Sequence, residues 1–256
     1  MKSKLVKILV ALAVVAVVGL VVLVLSLDSI VKKGVTSFGP EVIKAPINLD
    51  GVSISALSGG GEIKGLVIGN PEGFKTPAAV KLGTASLQVK PMSLLGDKIV
   101  VQSVKADGAE ITFEGSLSGS NLGKIQENVD AYVAALLGAS KDKQSAPGKK
   151  LQVDELVISN AKINLSLTML GGKSATVPLP EIKLTNLGQG AEGVTPAEVI
   201  KVVMKEVMAK TTTAVSGALG SIGKGVGDAA KGLGGATTDA AKGVTKGLTD
   251  MFKKKP

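Results

Sequence analysis

Residues 8–25, "ILVALAVVAVVGLVVLVL", hold only apolar residues and glycine, and Ser26-Leu27 carry the run to Asp28. At about 1.5 Å of rise per residue, such a helix spans roughly 30 Å, one hydrocarbon core. A secretory signal peptide is the competing reading. It has a shorter apolar region and ends in a small-residue cleavage pattern. Here the run ends Leu25-Ser26-Leu27-Asp28. The expectation is a retained transmembrane anchor over residues 1–27, followed by a juxtamembrane segment over 28–46. Lys2, Lys4 and Lys7 precede the run, whereas Lys32 and Lys33 after it are offset by Asp28. The positive-inside rule then puts the N-terminus in the cytoplasm and the bulk of the chain across the membrane.

After residue 46 the hydrophobic period becomes two. "INLDGVSIS", "VKLGTASLQVKP", "KIVVQSVKADGAEITFEG", "KLQVDELVISNAKINLSLTML" and "ATVPLPEIKLTNLG" alternate apolar and polar residues between Gly, Asn and Asp breaks. This is the pattern of half-buried strands in an antiparallel meander. Turns are expected at Asp107-Gly108 and near Ser159-Asn160. "GLVIGNPEGFKTP", Gly65 to Pro77, reads as strand punctuation: Asn70-Pro71-Glu72-Gly73 suit a type I turn. "GGGEIKG" (59–65) also reads as a turn. Two strand–turn–strand segments align at an offset of 52. Lys98 matches Lys150, Val101 matches Val153, Ala109 matches Ala161 and Ile111 matches Ile163. This is a weak internal repeat. Between the copies, Leu122, Ile125, Val129, Tyr132, Val133, Leu136 and Leu137 recur at helical spacing, so a helix is expected near 121–138. "SKDKQSAPGKK" (140–150) reads as a polar linker. Thr195, Pro196 and Glu198 form a capping box that opens a second helix over 196–216.

Chemistry is narrowly bounded. The chain has no His and no Cys, which removes the commonest general base, thiolate chemistry and the commonest transition-metal ligands. Glu110 and Glu114 share a strand face, but a solvated face explains them, and no nucleotide-binding or nucleophile-elbow motif stands in a fitting context. The expectation is a non-enzyme without a cofactor or metal. All 30 basic residues are Lys, aromatics make up 2% of the chain, and the net charge is +9. Arg forks and stacking platforms are therefore missing, and the charge points to an anionic membrane surface rather than to nucleic acid.

Residues 217–256 change character again. Asp228, Asp239 and Asp250 are evenly spaced, and Lys231, Lys242 and Lys253 follow them at the same interval. Each interval corresponds to about three helical turns, which gives a weakly apolar stripe opposite a charged one, a lipid-surface pattern. Lys231, Lys242, Lys246 and Lys253 are the membrane-surface candidates. The glycine content opposes a stable helix in water, so a low-complexity tail without a binding role stands beside this reading.

The segments "GLVIGNPEGF" (65–74), "LQVKPMSLLGDKIVVQSVKADGAEITFE" (87–114) and "GSLSGSNL" (115–122), behind an N-terminal anchor, resemble the N-terminal region of the AsmA family of bacterial envelope proteins. The resemblance covers roughly residues 1–125; the strand pair from 151 fits the family's repeated strands less specifically. It implies a chorein-like, strongly curved sheet with an apolar groove, an inner-membrane location with the sheet in the periplasm, and a part in phospholipid movement or outer-membrane biogenesis. The resulting fold class is α+β: an N-terminal transmembrane helix, a curved antiparallel β-sheet forming a partial groove (47–216), two or three amphipathic helices, and a low-complexity tail. So short a chain departs from the long, bridging members. The groove candidates are Ile99, Val101, Ile111, Phe113, Leu151, Val153, Ile163, Leu165 and Leu167. Burial of these residues as ordinary core is the alternative. The implied partners are phospholipid or another membrane lipid, the membrane surface, and envelope proteins that pair with the sheet edge.

Overall fold

The structure is a computed structural model and describes residues 27–116, 119–139, 149–167 and 174–232. The apolar run 8–25 and the tail beyond 232 lie outside these residues. Among the described residues no helix is long and apolar enough to cross a membrane.

One sheet holds all eleven strands: β1 (Ile47–Asn48), β2 (Gly51–Ile54), β3 (Gly60–Ile68), β4 (Val80–Val89), β5 (Lys98–Asp107), β6 (Glu110–Ser116), β7 (Gly119–Ser120), β8 (Lys150–Ser159), β9 (Lys162–Leu167), β10 (Ser174–Pro178) and β11 (Ile182–Leu187). The register reduces them to six long ribbons plus the short β7 hairpin arm. β4 pairs antiparallel with β5, Ala85 opposite Ala106, and keeps the same register into β6, Val80 opposite Ile111. β5 and β6 are therefore one strand with a bend. The same holds for β8–β9, for β10–β11 and for β1–β2. The turns expected at Asp107-Gly108 and Ser159-Asn160 are these bends, not hairpins. "GGGEIKG", expected to be a turn, is mostly the first half of β3.

The sheet is also mixed rather than wholly antiparallel. β8 and β9 run parallel to β5 and β6, with Lys98 opposite Lys150, Ile111 opposite Ile163 and Gly115 opposite Leu167. Every one of these pairs has the offset of the internal repeat, so the sequence repeat is the pairing register itself. The copies lie side by side. A parallel neighbour needs a long crossover, and the helix between the copies, α2 (Asn121–Ala139), provides it.

The bends line up across the sheet. They fall at Leu49-Asp50, Gly65, Gly83-Thr84, Asp107-Gly108, Asn160 and Pro180. Backbone φ is +60° at Gly65, +68° at Gly108 and +52° at Asn160, a left-handed conformation that Gly and Asn tolerate best. Pro180 has no N–H to extend the ladder. The Asp107 carboxylate accepts hydrogen bonds from Ser159 Oγ (2.8 Å) and Asn160 Nδ2 (2.7 Å), pinning two adjacent bends together. Those two bonds, Ser159 first, hold Asp107 below the usual carboxylate range. A second break crosses Gln102-Ser103, Asp154 and Asn186, where φ is +62° at Asn186.

Directly paired residues share a sheet face, so the register arranges the apolar residues in cross-sheet rows. One row reads Ile68, Val80, Ile111, Ile163, Val177, and its neighbour reads Ile63, Ala85, Ala106, Ile158, Ile182. The helices lie on this face. α2 buries Leu122, Ile125, Val129 and Val133 against it, and α3 (Pro196–Gly232) adds Ala197, Val207 and Val215. Ser120 Oγ accepts the Gly123 N–H to cap α2. The expected capping box opens α3: Thr195 Oγ1 accepts the Glu198 N–H, and Glu198 Oε2 accepts the Thr195 N–H at 2.7 Å. The backbone of α3 continues past residue 216, where the tail is expected to begin, to Gly232.

The segment placed next to the membrane is helical. Residues 27–33 form a helix that passes through a π turn (Gly34–Phe38) into α1 (Gly39–Ile43). Lys44 at φ +54° ends it. Phe38 meets Tyr132 of α2 edge to face, ring centres 5.8 Å apart, and Asn128 Nδ2 donates to the Ile43 carbonyl.

Thr211 on α3 is fully buried, and its Oγ1 has no hydrogen-bond partner. A buried hydroxyl without a partner costs about 1–3 kcal/mol. Thr211→Val keeps the shape and removes the hydroxyl. It is expected to raise the urea midpoint, with a gain of about 1 kcal/mol; an unchanged or lower midpoint would mean that the hydroxyl is satisfied in solution.

Candidate functional site

Two features stand out on this frame, a polar clamp at one end of the sheet and, at the other, an apolar band outside the main core cluster.

The clamp holds the β3–β4 loop, which contains "GNPEGFKTP". Its turn is centred on Glu72-Gly73, one residue later than expected from the sequence, and the φ of +94° at Gly73 suits the third position of a type II turn. Glu72 is exposed. The carboxylate that matters locally is Glu114 on β6. Its oxygens accept the Lys75 N–H (2.8 Å), the Thr76 N–H (2.7 Å) and the Thr76 hydroxyl (2.7 Å). Asn70 Nδ2 donates to Thr76 Oγ1 and to the Thr76 carbonyl. Asn121, fully buried at the start of α2, closes the network. Its Nδ2 donates to Asn70 Oδ1 and the Thr112 carbonyl, both at 2.8 Å, and its Oδ1 accepts the Glu114 and Leu122 N–H groups. Every donor and acceptor site of that amide is used. Glu114 is thus a fastening for the loop, and Glu110, the carboxylate paired with it in the sequence reading, is exposed opposite Lys81 and Lys162.

Burial alone pushes the Glu114 carboxyl upward. The bonds from the Thr76 hydroxyl, Thr76 N–H and Lys75 N–H, with the Lys75 charge, outweigh it and hold the group below its ordinary value. A carboxylate with a depressed folded-state pKa stabilises the fold above its unfolded value and loses that contribution as pH falls through the folded value. Wild-type protein is therefore expected to exceed Glu114→Gln in urea midpoint at pH 7. The gap should narrow as pH falls below about 4.5, near the unfolded-state value. A gap that does not change with pH would show that charge is not what the clamp uses.

The apolar band straddles the second break, on the helix-bearing face. Its rows are Leu87, Val104, Leu156, Leu184 and Val89, Val101, Val153, Leu187, followed by Ile99 beside Leu151. Leu87, Ile99, Val101, Val104, Leu151 and Leu187 are half-buried, whereas Val89, Val153 and Leu156 are buried. Apart from Leu184, none of these residues belongs to or packs against the main core beneath the helices.

The nine groove candidates therefore divide. Ile99, Val101, Leu151 and Val153 lie in the band, the first three half-buried and Val153 buried. Ile111, Phe113, Ile163 and Leu165 are at most 2% exposed and form the centre of the core under the helices. The side chain of Leu167 lies outside the described residues, as do those of Lys231, Lys242, Lys246 and Lys253 in the tail. Leu87, Val89, Val104, Leu156 and Leu187 belong to the band but are absent from the sequence candidates. A signal for two of them was present, because Val104 aligns with Leu156 in the internal repeat.

The family model for the AsmA family matches residues 60–173. No curated protein matches the chain. The match begins at β3, leaves out the apolar N-terminal run, and takes in both copies of the bent strand, including the second, for which the sequence resemblance was less specific. The matched region, residues 60–173, runs from β3 through β9 with α2 between the copies and is AsmA-like.

Proposed function

We propose that this chain is a membrane-anchored, non-enzymatic envelope protein that handles phospholipid or a related membrane lipid on the apolar band of its sheet. In this reading residues 1–27 anchor it in a bacterial inner membrane, and the sheet lies in the periplasm. It needs no cofactor and does not bind nucleic acid. The observation that carries the proposal is the pair of apolar rows that, apart from Leu184, stand outside the core cluster beneath the helices, Leu87–Val104–Leu156–Leu184 and Val89–Val101–Val153–Leu187. Each acyl CH₂ moved from water onto such a surface gains about 0.8 kcal/mol, so one acyl chain is enough for measurable binding. The AsmA family match over residues 60–173 fits a role in the envelope.

The test is lipid extraction from the full chain purified in mild detergent, with mass spectrometric quantification. Val101→Asp and Leu151→Asp each place a carboxylate in the band, where it has no apolar-compatible partner. Each is expected to lower bound phospholipid about tenfold or more, equivalent to at least about 1.4 kcal/mol, while the circular dichroism spectrum is retained. Wild-type protein free of lipid would overturn the proposal.

A second reading rests on the sheet edge. Among the described residues β10 and β11 pair on one side only, and an unpaired edge can accept a strand from another protein. Lipid-free protein that captures a defined envelope partner, and loses it on proline substitution at Thr185, would favour that anchored assembly role.

A further inference from the structure

Three large apolar side chains point into solvent at the band end of the sheet: Leu57 (94% exposed), Met92 (73%) and Leu95 (63%). Leu57 sits in the β2–β3 loop, and Met92 and Leu95 sit in the 3₁₀ turn Pro91–Leu95 between β4 and β5. Hydrogen bonds join these loops into one surface. Gln88 Nε2 donates to the Ser58 carbonyl (2.7 Å), and the Val89 N–H donates to the Gly59 carbonyl (2.8 Å). Lys149 Nζ donates to the Leu94 carbonyl (2.6 Å), and the Lys150 N–H donates to the Asp97 carbonyl (2.9 Å).

The described residues begin at the same end. The apolar run stops at Leu27, where the described residues begin. The next residue, Asp28, accepts the Ile54 N–H at 2.7 Å, close in sequence to Leu57. The end of the apolar run is thus fastened to the strand that leads into the Leu57 loop. Lys90, Lys98, Lys149 and Lys150 lie in or beside the loops and strand ends here, with Asp28, Asp97 and Glu192. Apolar tips beside an excess of lysines are the chemistry of an anionic lipid interface.

We propose that this end of the sheet, through Leu57, Met92 and Leu95, docks into the surface of the anionic bilayer that holds the apolar run, so that the apolar band lies next to the lipid. The inference rests on the reading of residues 8–25 as a membrane anchor. It is separate from whether the band binds lipid.

The chain has no Trp, so a single introduced Trp reports alone. Leu57→Trp and Met92→Trp are compared with Glu72→Trp, in the clamped loop at the opposite end of the sheet. Each full-length variant is reconstituted into vesicles of phosphatidylethanolamine and phosphatidylglycerol carrying acyl-chain bromines. Insertion of interfacial side chains to about 5–10 Å puts them within bromine contact. The expected result is blue-shifted, strongly quenched emission at positions 57 and 92 and unquenched, solvent-like emission at 72, with weaker quenching when phosphatidylglycerol is replaced by phosphatidylcholine. Variants that co-float with vesicles but stay unquenched at 57 and 92 overturn the docking alone. Variants that do not co-float overturn the anchor and the docking together. Equal quenching in neutral vesicles overturns the role of the lysines. The extraction experiment on Val101→Asp decides the lipid-handling reading independently of all three.

Discussion

Replacing Asn121 by alanine is expected to cost about 3–4 kcal/mol and to lower the thermal midpoint by roughly 10 °C. The side chain is fully buried and makes four hydrogen bonds, to Asn70, Thr112, Glu114 and Leu122. Truncation leaves the Thr112 carbonyl and the Glu114 N–H without these partners in a site closed to water, and each such orphan costs about 1–3 kcal/mol. The loss should spread to the β3–β4 loop, because Asn70 in turn holds Thr76. Thermal melts followed by circular dichroism measure the total. Amide exchange at Lys75 and Thr76 measures the spread. A loss under about 1 kcal/mol would show that water replaces the amide.

The second large effect separates core from band. Phe113→Ala is expected to cost about 3–5 kcal/mol, because a fully buried aromatic ring leaves a cavity that its neighbours cannot fill. Phe113 lies opposite Leu165 and belongs to the cluster beneath the helices. Val101→Ala removes less volume from a half-buried position and should cost under about 1.5 kcal/mol. Urea denaturation of both variants provides the comparison. Similar costs at the two positions would mean that the band is packed as tightly as the core, and the lipid-handling proposal would lose its carrying observation.

Much of the frame was legible in the sequence because it is written locally. The α2 stripe from Leu122 to Leu136, the Thr195–Glu198 capping box and the alternating strands follow from period and cap chemistry, and the structure contains them. What was hidden is the step of three. On the first copy the face residues run Val101, Val104, Ala106, Ala109, Ile111, Phe113, and the second copy repeats those steps in register beside it. A strict period of two puts Val104 on the face opposite Val101, which is why Val104, Leu156 and Leu187 were not grouped with the candidates. The break at Gly108 also looks like a hairpin when nothing local says that the strand continues beyond it. Whether Phe113 is core or lining depends on where α2 comes to rest, and that is fixed by contacts far apart in the chain. The clamp was invisible for the same reason: Glu114 and Thr76 are 38 residues apart.

The six ribbons set a length. Neighbouring strands are spaced about 4.8 Å apart, so the five gaps between six ribbons give a sheet roughly 24 Å wide. A hydrocarbon core is about 30 Å thick, so the sheet spans more than half of one and less than the whole. The sheet is therefore wider than one leaflet of that core and narrower than both. Any wider sheet must be assembled by adding ribbons. The two copies already show how such growth is done inside one chain, by setting a similarly bent strand beside the last at no change of register.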